Sequence, residues 1–225
     1  MCGALASVFN LLTSVDWLEV IRSFAPAGTA VIAFFALQNW KRQDKAKREI
    51  EFLDGMLDGA HAYILELYKP IILWRLTKTA MISFAPAGAA GDETSRATQG
   101  APNYVQRHGA VEGRRLFEAL EAIQPSLSKL KSLQAKGQVF QFEGYAKAYN
   151  ALELLAWHYS RFEALAFLIS SQSLNFAHPE VNKLLADLVA IEPDQVEKNI
   201  AEANKALIEF AQAAYRQHYG GPPKK

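Results

Sequence analysis

No charged residue occurs between Ser23 and Trp40, and five basic residues (Lys41, Arg42, Lys45, Lys47 and Arg48) fall within the next eight positions. This step from an apolar run to a cationic tract constrains the chain more than any other feature. The run centres on Val31-Ile-Ala-Phe-Phe-Ala-Leu37. A helix crossing a bilayer needs about 20 such residues, so the run is short unless its flanks help. Trp17 and Trp40 stand 23 positions apart, or about 34 Å along a helix. That spacing puts one indole near each membrane interface, with the Arg22 stem reaching outward to the headgroups. Glu19 lies inside the first tryptophan, where Asp16 and Glu19 have the spacing of a capped helix start.

The expectation is a transmembrane helix over 16–40 that continues into a juxtamembrane helix over 41–84. Only Arg22 is basic on the N-terminal side of the run. Basic residues stay on the cytoplasmic side, so the N-terminus is expected outside and the C-terminal domain in the cytoplasm, as in a single-pass protein of a bacterial inner membrane. The tract would meet anionic headgroups. Within the run, Ala25, Thr29 and Ala33 recur every four residues, as Gly28 and Ala36 do with Ile32 between. Small residues so spaced permit close helix association, and with it a homo-oligomer.

The hexapeptide SFAPAG occurs at 23–28 and again at 83–88. The second copy follows a stretch containing Lys69, Arg75 and Lys78, which excludes a lipid-exposed span there. It leads into "AAGDETSRATQGAPN", which lacks large apolar residues. That composition predicts a flexible loop over 85–108, opened by Pro86.

The remaining periodicity is helical, and no segment alternates as a half-buried strand would. Ile50, Leu53, Leu57, Ala60, Ile64, Leu67 and Ile71 share one face, with a kink expected at Pro70. A second seam runs from Leu116 or Phe117 through Leu120, Ile123, Leu127 and Leu130 and is expected to end at Gly137. A third joins Ala148, Leu152, Leu155, Tyr159, Phe162, Ala166 and Ile169, and a fourth Val196, Ile200, Ala203, Leu207, Phe210 and Ala214. Pro179 and Pro193 are placed to open helices. The fold expected is all-α: a short segment over 1–15, the transmembrane and juxtamembrane helices, the loop, an antiparallel bundle over 109–219, and a frayed tail over 220–225.

Chemistry is sparsely signalled. The net charge of +1 favours no polyanionic partner. The basic residues Arg107, Arg114, Arg115, Lys129, Lys131 and Lys136 are interspersed with Glu112, Glu118 and Glu121, which reads as a solvated face rather than a nucleic-acid surface. One cysteine, Cys2, precludes an intrachain disulfide and a cysteine-based zinc site. Asp54, Asp58 and His61 lie on one helix stripe as weak candidate metal ligands. His158, between Trp157 and Tyr159, is expected at the core boundary, hydrogen-bonded to a neighbour. No nucleophile elbow or phosphate-binding glycine loop occurs, and no cofactor is expected.

The functional expectation is a membrane-anchored helical protein that works at the cytoplasmic face by self-assembly or by binding a protein partner, and not by catalysis. The alternatives are a bundle enzyme or metal protein using Asp54, Asp58, His61 or His158, and a small oligomeric pore lined by Thr29 and Gln38.

Overall fold

The computed structural model describes residues 17–220, except the side chains of residues 17–21, 23, 24, 218 and 219. Among the described residues the fold is all-α with no strand. Its helices are α1 (Trp17–Ser83), α2 (Glu93–Phe140), α3 (Tyr145–Ser170), α4 (Pro179–Val189) and α5 (Pro193–Tyr219). The segment over 1–15, Asp16 and the tail over 221–225 lie outside the described residues. The chain divides into two compact units, residues 1–49 and 50–225.

In the first unit, α1 begins at Trp17 and carries the first SFAPAG copy, Pro26 included, within the helix. The second unit starts in the same helix, which runs on through Pro70 to Ser83. The second SFAPAG copy ends that helix: the amides of Phe84 and Ala85 close on the carbonyls of Met81 and Ile82 at 3.0 and 3.2 Å. Identical hexapeptides thus take different structures, and their neighbours decide which.

The loop expected over 85–108 is much shorter. Asp92 caps α2 by accepting a 2.8 Å hydrogen bond from the Ser95 amide, and residues 93–108 are helical. Their small residues are packing surfaces. Gly100 lies so close to α1 that a Cβ there would collide with the Met81 carbonyl. Downstream, Gly109 and Gly113 pass close to the backbone of Ile169 and Ser170. Gly137 does not end α2; it lies inside the helix beneath the Tyr145 ring, and α2 continues to Phe140.

These contacts also set direction. Gly100 faces Met81 and Gly59 faces Leu133, so α1 and α2 run antiparallel in the second unit. Gly137 faces Tyr145 and Gly113 faces Ser170, so α2 and α3 do too. Pro179 and Pro193 occupy the starts of α4 and α5, where a missing N–H costs no helical bond.

The core of the second unit is built from the four periodic seams. Every residue of the third and fourth is buried, as are Leu53, Ala60, Ile64, Leu67 and Ile71 of the first. Three buried polar groups bond between elements. Tyr63 Oη donates to the Leu155 carbonyl at 3.0 Å, Trp74 Nε1 to that of Ile191 at 2.8 Å, and Tyr145 Oη to that of Gln134 at 2.8 Å. Burial pushes the Tyr145 phenol up to about 12 and raises that of Tyr63 further. Phe52, Phe140, Phe142, Tyr145 and Phe210 form one ring cluster with neighbouring centroids 5.2–6.4 Å apart.

Candidate functional site

The first unit carries the most unusual surface. On α1, Val31 is 54% exposed, Ile32 71%, Phe34 57%, Phe35 63% and Leu37 49%, and Trp40 beyond them is 62% exposed. Successive helical residues turn by about 100°, so these positions lie all round the cylinder rather than on one stripe. A globular protein exposes single large apolar residues freely, but a contiguous band marks an interaction surface.

The band is also short. Among the described residues, no helix is long and apolar enough to cross a membrane. The physical reason is dilution. Pro26, Gly28 and Thr29 precede the band and Gln38 and Asn39 follow it, leaving Ala30–Leu37 as the dense portion. That portion is about 12 Å long at ~1.5 Å per residue, against a hydrocarbon layer of ~30 Å. The expected transmembrane helix over 16–40 is therefore present as a helix from Trp17, without the apolar length of a span among the described residues.

Arg22 is exposed, and the Trp17 side chain lies outside the described residues. Lys41, Arg42, Lys45, Lys47 and Arg48 are all exposed below Trp40. Two of them are tied to carboxylates one turn away: Lys45 Nζ lies 3.7 Å from Glu49 Oε1, and Arg48 Nε lies 3.0 Å from Asp44 Oδ2. Ala25, Gly28, Thr29, Ala33 and Ala36 are exposed, and Thr29 Oγ1 donates back to the Ala25 carbonyl at 2.8 Å.

In the second unit, the candidate metal stripe lies at the surface. Asp54, Asp58 and His61 are exposed, and Asp54 accepts a hydrogen bond from the Tyr215 hydroxyl. Among the described residues, no three His, Cys, Asp or Glu side chains gather as a metal set. The stripe spacing is right, but among the described residues no second helix brings the further ligands that a bundle metal site draws on.

His158 departs from expectation. It is 1% exposed, and neither ring nitrogen has a hydrogen-bond partner among the described residues. Burial, with a smaller contribution from nearby Arg161, lowers its pKa to about 4. The imidazole is thus neutral at ordinary pH. Among the described residues no hydrogen-bonding partner reaches it, and it packs as a core residue.

Sequence reading missed one polar cluster altogether. Lys78 is buried at 5% exposure, with its ammonium 2.5 Å from Glu192 Oε1 and 3.3 Å from Thr94 Oγ1. Arg75 bonds Asp194 at 2.7 Å and Glu197 at 2.9 Å. A cavity of about 180 Å³ opens beside them, lined by Arg75, Lys78, Glu93, Glu192 and Asp194 among others. The Lys78 ammonium holds the Glu192 carboxyl below the usual range. Each cation already has a carboxylate, so the cluster joins α1 to the starts of α2 and α5 as a structural clasp. The only sequence signal was a lysine on a helix face that otherwise reads as core.

No protein-family model, no curated protein and no solved structure matches this chain.

Proposed function

We propose that this chain is a helical-bundle protein held at a lipid bilayer by the apolar band of α1, and that it works by binding a partner or a second copy rather than by catalysis. One observation carries the reading: the large side chains from Val31 to Leu37 are exposed all round the helix. A single protein helix packed against α1 would cover one face, and covering every face with protein would take several. A helix lying in the membrane surface needs a polar face, which Ala30–Leu37 lacks. Hydrocarbon covers every direction at once, and that favours lipid.

In this reading residues 16–40 enter the bilayer, with Trp17 and Trp40 toward its two interfaces and the N-terminus outside. Local thinning of the bilayer, outward-reaching flanks and self-association offset the short apolar length, at fractions of a kcal/mol per Å of mismatch. The basic side, on the positive-inside argument, faces the cytoplasm. Tethering acts by concentration: a bundle confined to a surface meets other surface-bound molecules at a raised effective concentration. The small-residue face over 25–36 is where a second copy would pack, with close backbone approach in place of a large buried area.

Alkaline carbonate washing of membranes from cells making the full chain tests this. The chain is expected to stay in the pellet and to be released by detergent. Recovery in the carbonate supernatant would remove the bilayer from the account.

A further inference from the structure

The cations below the apolar band are not equivalent. Lys45 and Arg48 each face a carboxylate of their own helix, at 3.7 and 3.0 Å, whereas among the described residues neither Lys41 nor Arg42 has an ion-pair partner. Lys47 makes an interaction of its own. Viewed from a headgroup, a cation with an anion at such a distance is a dipole with no net charge, so its attraction falls off steeply. The carboxylate of Glu49 is itself held in place, its side chain being 10% exposed.

Depth separates them in the same order. Lys41 and Arg42 follow Trp40 by one and two residues, or about 1.5 and 3 Å along the helix. Lys45 and Arg48 follow by about 7.5 and 12 Å. At ~0.1 M salt a surface potential decays over about 10 Å, so the outer pair feels a weaker field as well.

We infer that this junction recognises anionic lipid headgroups, and that Lys41 and Arg42 carry the recognition. The inference rests on the bilayer reading above and adds a ligand class and two residues to it. Lys41 offers a compact ammonium and Arg42 a planar fork able to bridge two phosphate oxygens. Each unpaired cation near an anionic surface strengthens binding by about fivefold at moderate salt.

The test is co-flotation of the full chain with vesicles of phosphatidylcholine alone and with vesicles also containing phosphatidylglycerol, with far-UV circular dichroism confirming helix content in each variant. Unsubstituted chain is expected on both, roughly tenfold or more tighter on the anionic vesicles, with the excess lost in high salt. Lys41→Gln with Arg42→Gln is expected to abolish the excess and keep the neutral binding. Asp44→Asn with Arg48→Gln removes an outer pair without changing net charge, and is expected to keep the excess. Equal binding to both vesicles, or an excess that survives the inner substitutions, or one that vanishes with the outer pair, would overturn this inference and leave the bilayer reading intact. Flotation on neither vesicle would overturn both.

Discussion

His158 sits in the core with both imidazole nitrogens unbonded among the described residues, so its protonation must oppose folding. Its folded pKa of about 4 lies below the ordinary 6.5, and the unfolded chain therefore takes up a proton first as pH falls. The stability that depends on a neutral imidazole is whole above pH ~6.5, drains between ~6.5 and ~4, and changes no further below, for a total of about 3 kcal/mol. Chemical unfolding at pH 7 and pH 5 should show His158→Leu losing less stability than the unsubstituted chain over that interval. A second residue-scale prediction concerns Lys78. Glu192→Ala leaves a buried ammonium short of its carboxylate and is expected to cost about 1–3 kcal/mol, because Glu192 itself is half exposed. Lys78→Met removes the buried charge along with its partner's need and is expected to cost less. Comparison of unfolding midpoints for the two variants checks the order. The Lys78 site was not legible beforehand, since its carboxylate partner lies 114 positions away.

At the scale of the helices, glycine decides where α1, α2 and α3 approach. Alanine in place of a helical glycine gains up to about 1 kcal/mol wherever space allows. At Gly55 a new Cβ would meet only Leu133 Cδ2, at an ordinary 3.8 Å. At Gly100 it would strike the Met81 carbonyl and the Ala85 amide. Gly55→Ala is therefore expected to raise the melting temperature by a few degrees, and Gly100→Ala to lower it despite the same gain in helix propensity. The same contrast explains what the sequence could and could not convey. Leu152, Leu155, Tyr159 and Phe162 announce a helix because large apolar residues recur at its period, and they are buried as expected. Ala97, Gly100 and Ala101 recur at related spacings but read as a loop, because a small residue looks alike whether it is packed or solvated. Only their burial, with the Met81 carbonyl pressed against Gly100, distinguishes the two.

For the whole molecule, the central claim is that hydrocarbon surrounds the band from Val31 to Leu37. The basic tract and the missing charges were plain in the sequence, and the all-round exposure of the band agrees with them. The shortfall in apolar length is a separate fact, set by Pro26, Thr29, Gln38 and Asn39, and the account meets it with bilayer adjustment rather than with a longer span. Site-directed spin labelling addresses the claim most directly. Single cysteines at Ile32, Phe34, Phe35 and Leu37, introduced with Cys2→Ser into the full chain in phosphatidylcholine vesicles, would each be labelled and probed with oxygen and with a water-soluble nickel chelate. The account predicts that all four labels are shielded from nickel, with no helical periodicity in that shielding, and that those at Phe34, Phe35 and Leu37 are accessible to oxygen. Nickel access at all four, or nickel access that alternates with the helical turn, would contradict it.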